Sequence, residues 1–306
     1  MAKTIRIIRP SSREKNNLLP DRIRELEGAG FRILYDEIPQ DPAWPHTAGS
    51  ITDRANAFQN ALLESESDFV MVARGGYGAS DLLPRLDWNQ IKTARPKWLV
   101  GFSDISALQS ALFVKAGWPA IHGPMLATEL WGQNDYRADI EETLAIATGQ
   151  QRSGTMTIRP VGDLAKSARN VSGTLFGGNL SVLTNLIGTP YFPKSLKGMV
   201  VFFEEITENP GELCRDLSHW TLSGVLEGTA AVVIGHLRGL GKDIPDCAPY
   251  VYEEMARRTG VPTFATDRFG HTCPNHPLVV GAQAQVSDGQ LRWSIGDLKK
   301  HDLKLT

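Results

Sequence analysis

"KWLVGFSDISAL", residues 97–108, decides the fold. Trp98, Leu99 and Val100 make a short apolar run, which suits a strand covered on both faces. Gly101 ends the run. Ile105, Leu108 and Leu112 then recur at spacings of three and four, the period of a packed helix. A buried strand turning within a few residues into a helix is the repeating unit of an α/β sheet. Ser103 sits in the turn. It is either a helix N-cap, its oxygen accepting a backbone N–H, or a nucleophile held out at the end of the sheet. "GFSD" fits the start of a G-x-S-x-G elbow, but Ile105 stands where the second glycine belongs. Local sequence leaves both readings open.

The same alternation extends outward. "TIRIIRP" reads as a first strand. Pro20 and Asp21 open a helix that Gly28 and Gly30 close. "FRILYDE" reads as a second strand. Ile51, Ala55, Phe58 and Leu62 share one helical face, with Ser50 and Asp53 as its cap. "DFVMVA" and "WPAIHG" supply further buried strands. The expectation is a doubly wound parallel-sheet domain over residues 1–148. The stretch 149–170 turns polar and reads as a linker, and 171–306 as a second domain of mixed β/α type. In it "GNLSVLTNLIGTP", "CRDLSHWTLSG" and "APYVYEEMARRTG" read as helical, "GMVVFFEE" and "AAVVIGHL" as buried strands. "HPLVVGAQAQVSDGQLRWSIG" reads as two antiparallel strands about a Ser-Asp-Gly turn.

Length and composition fit two domains. The chain has 306 residues, 42% hydrophobic and 22% charged, with a net charge of -2. That balance gives no reason to expect nucleic acid or an anionic membrane as partner. No stretch approaches the roughly 20 apolar residues of a membrane span. "MAKTIRIIRPSS" reads as a strand, not a signal peptide. The three cysteines are widely spaced, which suits a reducing compartment such as the cytoplasm and no zinc framework.

Several residues could carry chemistry. "ARGGYGAS" (73–80) follows a strand, and its glycines let backbone N–H groups approach a ligand. It reads as a nucleotide loop, a tight turn, or an oxyanion loop beside Ser103. The nucleotide reading is weakest, because neither a third fingerprint glycine nor a Gly-Lys-Ser/Thr is present. Glu204 and Glu205 follow five apolar residues, Met199 to Phe203, and strand alternation sends them to opposite faces. A carboxylate there pairs either with Arg215 structurally or with a histidine. Of seven histidines, His122 and His236 close apolar strands, whereas His271 and His276 lie in a Gly- and Pro-rich loop, where catalytic residues are commonly held.

Taken together, "ARGGYGASDLL", "GFSDISAL", "HGPM", "GTLFGGNLSVLTNLIGTP", "FFEEITENP" and "FGH...HPLVVGA" resemble the LD-carboxypeptidase family in order and spacing, over nearly the whole chain. The resemblance implies a first domain of class I glutamine-amidotransferase-like type and a swivelling-type second domain. It implies a Ser-Glu-His triad of Ser103, Glu204 and His271, without metal or cofactor. The implied substrate is a cytoplasmic murein tetrapeptide, cut between an L-diamino acid (lysine or meso-diaminopimelate) and a terminal D-alanine. It also implies a homodimer. The N–H groups of Gly76 and Asp104 then form the oxyanion hole. Arg74 is a candidate for the substrate carboxylate, and Asn179 and His122 are candidates for the pocket, beside Met125. Arg9 departs from the small residue common in the family, and His276 competes with His271 as base.

Two other readings remain. A microcin-immunity-type peptidase uses the same triad on aminoacyl-nucleotide conjugates and needs an aromatic surface, for which Trp131 is available. A non-catalytic carboxylate- or phosphate-binding protein needs only the glycine loops, and it predicts that Ser103→Ala keeps full function.

Overall fold

A computed structural model of the chain describes residues 2–14, 17–128, 134–168, 170–240 and 247–296. The strands foreseen around Ser103 are β1 (Thr4–Ile8), β2 (Arg32–Tyr35), β3 (Phe69–Val72), β4 (Leu99–Gly101) and β5 (Ala120–His122). They pair in parallel in the order β2-β1-β3-β4-β5. The helices of this half are α1 (Leu19–Gly28), α2 (Ile51–Leu63), α3 (Trp88–Thr93), α4 (Ser106–Ala116) and α5 (Asn134–Ala147). Ser50 caps α2 by accepting the Asp53 N–H, as its sequence predicts. Every residue of β3 and β4 is buried, which is why both read as unbroken apolar runs.

The stretch expected as a linker carries structure of its own: β6 (Ser153–Thr157), β7 (Arg159–Val161) and α6 (Gly162–Ser167). Then follow β8 (Val171–Asn179), α7 (Leu180–Thr184), β9 (Val200–Ile206), α8 (Pro210–Leu222), β10 (Ala231–Arg238), α9 (Ala248–Thr259) and β11 (Thr263–Ala265). The chain closes with β12 (Leu278–Val280), β13 (Gln283–Ser287) and β14 (Gln290–Ser294). The second sheet runs β6-β14-β13-β8-β9-β10-β11-β7, so β6 and β7 take its opposite edges. Its centre, β8 to β11, is parallel, and its flanks are antiparallel. The β13–β14 hairpin turns at Ser287–Gly289, as its sequence predicts.

One strand corrects the reading of the first sheet as wholly parallel. β12, from the far end of the chain, pairs antiparallel with β5, setting Leu278 against His122. Both sheets are therefore mixed. "LVV" signals a buried strand, but nothing local tells which edge it joins. The two sheets meet through aromatic rings close to the end of β4. His122 touches Phe102 and Phe202 edge-on at 6.0 and 5.2 Å between ring centres, and Phe202 meets Phe269 at 5.6 Å. Among the described residues no helix is long and apolar enough to cross a membrane.

Candidate active site

Ser103 stands where strand gives way to helix, as its sequence predicts. The chain leaves β4 through Phe102 and enters a single 3-10 turn, Ser103–Ile105, ahead of α4. No side-chain hydrogen bond caps that turn. Ser103 instead sits at φ 63°, in the left-handed region that a residue with a Cβ seldom adopts. The tight turn holds its Oγ 3.0 Å from Nε2 of His271. On the other side of the ring, His271 Nδ1 lies 2.6 Å from Oε2 of Glu204. With Nδ1–H donating to the carboxylate, Nε2 is left to accept the serine proton.

Glu204 is fully buried at the end of β9, opposite Asn179 of β8. Burial pushes its pKa up, but the charge and hydrogen bond of His271 outweigh that, and the carboxyl stays below its ordinary value. Glu205 goes the other way. Burial and the neighbouring Glu204 charge raise it, although it accepts from the backbone N–H groups of Ser181 and Ile206. Asn179 joins the two. Its Nδ2 donates to Glu205 at 2.8 Å and to Glu204 at 3.3 Å, while its Oδ1 caps α7 through Val182 N–H. Arg215 is a partner of neither carboxylate among the described residues. Gly178 lets this strand end approach the first half, since a Cβ there would sit 2.4 Å from Ser106 Oγ.

The glycine loop lies over the serine. A Cβ on Gly75 would come within 3.2 Å of Ser103 Cβ and 3.3 Å of Met125 Cε. Gly76, at φ +113°, needs the conformational freedom of glycine. Ser12 braces the loop by donating its N–H to Gly75 O and accepting from Tyr77 N–H. The side chain of Asp104 turns inward to accept from Ser11 Oγ at 2.6 Å and Ala79 N–H at 2.9 Å. Burial raises its pKa despite those bonds.

Arg54 is the residue that sequence reasoning missed. It is buried, and it donates to the carbonyls of Gly49, Pro10 and Gly78, tying α2 to both loops around the serine. The available signal was an arginine beside Ala55 on the apolar face of α2, where a charge needs a partner.

The remaining candidates are placed as follows. His122 is fully buried near Glu204 and His271, and burial lowers its pKa to about 4, so its ring is neutral. Arg74 donates to Arg13 O at 2.6 Å and lines a cleft of about 600 Å³ with Trp44, His46 and Tyr77. Arg9 pairs with Glu14 and Glu37 and stacks on Tyr35. His276 faces Asp139 and Glu142. Trp131 lies outside the described residues.

Comparison with known proteins agrees with this architecture. A sequence model of the LD-carboxypeptidase N-terminal domain matches residues 5–123, and one of the LD-carboxypeptidase C-terminal domain matches 172–286. A murein tetrapeptide carboxypeptidase of Pseudomonas aeruginosa is 31% identical over 296 residues, covering 94% of each chain. The microcin self-immunity protein MccF of Escherichia coli is 26% identical over 294 residues, covering 85% of this chain and 83% of that one. The crystal structure of a muramoyltetrapeptide carboxypeptidase from Oxalobacter formigenes superposes with a TM-score of 0.81 at 26% identity, over 96% and 99% of the two chains. Fold and sequence together define a serine peptidase built on two mixed sheets. The chain belongs to the LD-carboxypeptidase family.

Proposed function

We propose that the protein is a serine carboxypeptidase that releases D-alanine from murein tetrapeptides, cutting after the L-diamino acid. The observation that carries this reading is the line of hydrogen bonds from Ser103 through His271 to buried Glu204. A serine hydroxyl is a weak nucleophile until a base takes its proton. In this reading His271 takes it, Ser103 Oγ attacks the peptide carbonyl, and His271 returns the proton to the leaving D-alanine nitrogen. Water then hydrolyses the acyl-enzyme by the same relay. Glu204 stays ionised throughout, orienting the ring and stabilising its charged form.

The tetrahedral oxyanion is assigned to the backbone N–H groups of Gly76 and Asp104. The D-alanine carboxylate needs a cationic partner, and Arg74 on the adjacent cleft is the candidate. His122 forms the neutral floor under the base, and Asn179 holds the two glutamates. The first sheet is read as class I glutamine-amidotransferase-like and the second as swivelling-type. A cytoplasmic homodimer acting on recycled cell-wall peptides completes the reading.

The test is D-alanine release from a tetrapeptide ending in meso-diaminopimelate–D-alanine, by the natural protein and by Ser103→Ala. Release that falls about 10⁶-fold in the variant is expected, the scale on which losing the nucleophile acts in serine peptidases. Equal release by both would reduce Ser103 to a structural turn. No release by either would turn attention to aminoacyl-nucleotide conjugates. The half-exposed rings of Trp44 and Tyr77 beside Arg74 favour that second reading, since a base needs a stacking surface.

A further inference from the structure

Outside the triad, three donors crowd together: Asp139 and Glu142 on α5, and His276 in the loop between β11 and β12. His276 Nδ1 lies 2.9 Å from Asp139 and 3.2 Å from Glu142. Such a trio looks like a metal-ligand set. The surroundings point elsewhere. Arg268 Nη2 lies 2.6 Å from the far ring nitrogen, so a fixed positive charge already faces the cluster.

The second oxygen of Asp139 is also committed. It accepts the backbone N–H of Asn275 at 2.5 Å. Asn275 Oδ1 in turn accepts the N–H of Gly270 at 2.9 Å. Asp139 is 1% exposed and Asn275 0%. Gly270 is the residue before His271, and a Cβ there would stand 2.9 Å from Glu204 Cβ. The loop also closes on itself, His276 N–H donating to Arg268 O at 2.8 Å. A continuous line of buried hydrogen bonds therefore runs from α5 in the first half to the peptide unit that carries the base.

We propose that Asp139 and Asn275 are positioning residues, which fix the His271 loop of the second half against the Ser103-bearing first half. This rests on the reading of Ser103, His271 and Glu204 as a triad. Gly270 has no side chain to hold it, so its N–H direction depends on the Asn275 acceptor. Without that acceptor the ring of His271 drifts from the serine. A displacement of about 1 Å at a reacting group costs on the order of 100-fold in rate.

The test separates positioning from substrate choice. The rate at which a fluorophosphonate labels Ser103 reports an activated serine whatever the peptide. D-alanine release supplies kcat and KM. In Asp139→Ala, labelling and kcat should both fall about 100-fold with KM little changed. Asp139→Asn keeps an oxygen for Asn275 N–H and should recover most of the loss. If Asp139→Ala does not fold, Asn275→Ala removes the acceptor for Gly270 while leaving the backbone N–H on Asp139 and should give the same fall. Labelling at the natural rate in a folded Asp139→Ala or Asn275→Ala protein would overturn the proposal. So would a rise in labelling or melting temperature when zinc or manganese ions are added, if Asp139→Asn abolishes it, because the cluster would then be a metal site. Absence of labelling in the natural protein would remove the triad and the proposal together. Labelling without D-alanine release would remove only the muropeptide reading, and the variants would still decide on positioning.

Discussion

Ser103 and the His271–Glu204 pair meet across 3.0 Å, yet they are held by different means. Ser103 is placed by backbone: a left-handed residue at a strand end, a glycine loop pressed against its Cβ, and α4 beginning just beyond. Glu204 and His271 are placed by charged and polar side chains: a buried carboxylate, a short bond to imidazole, and Asn179 bridging two glutamates. The first arrangement stores strain, and the second depends on a buried charge kept ionised by its hydrogen-bond partners. Substitutions should therefore fail differently on the two sides.

The largest contrast comes from Glu204→Gln. It keeps the shape of the site but removes the charge that orients and stabilises the imidazole. The D-alanine assay should show kcat about 10⁴-fold lower, the scale of the equivalent change in other triads, with KM little altered. A loss of under about tenfold would show that the backbone side alone sets the rate.

Acid and base sharpen the comparison at the two other histidines near the triad. Among the described residues His122 has no polar partner for either ring nitrogen, and burial lowers its pKa to about 4. An unfolded histidine titrates near 6.5, so between these values the unfolded chain binds more protons. Stability should drop as pH falls from about 6.5 to about 4, by about 3 kcal/mol at 1.36 per pKa unit. Urea unfolding across that range should show the slope, and His122→Phe should flatten it. His276 has the opposite sign. The carboxylates of Asp139 and Glu142 raise its pKa to about 9. Its contribution is complete below about 6.5 and is lost as pH climbs through about 9, so the same titration should decline on the alkaline side too.

The smallest effect tests the strain itself. Ser103→Gly removes the nucleophile but relieves the left-handed conformation. Urea unfolding should show a gain of roughly 1 kcal/mol, the lower end of what such a residue stores. A loss of stability would mean that the hydrogen bond to His271 holds the two halves together more than the turn resists.

What could be read from sequence follows the same division. The turn at Ser103 was legible because strand, glycine, serine and helix are adjacent in the chain. The parallel strands were legible because burial on both faces leaves an apolar run. Glu204 and His271 had no local mark that chose them over Glu205 and His276; only resemblance to a family singled them out. Arg54 carried a signal only in its place on an apolar face, and Asp139 and Asn275 were silent, because their partners are carbonyls and N–H groups supplied by distant segments. β6, β7 and β12 were missed or misplaced for a related reason. β6 and β7 are edge strands with mostly exposed residues, so no apolar run marks them, whereas the three buried residues of β12 announce a strand whose neighbour is chosen by the whole sheet.

β12 has a consequence for how the molecule is made. It follows His271 in the chain and supplies the edge next to β5. During synthesis, the first half can gather β1 to β5 early, yet β5 stays an open edge until residue 280 has emerged. An unpaired edge is an invitation to other strands, and domains tend to fold as the ribosome releases them. The strand that completes the first sheet shuts that edge, and the loop just before it brings His271 to Ser103. A nascent chain thus carries Ser103, without the histidine that faces it in the finished fold, through more than half of its synthesis.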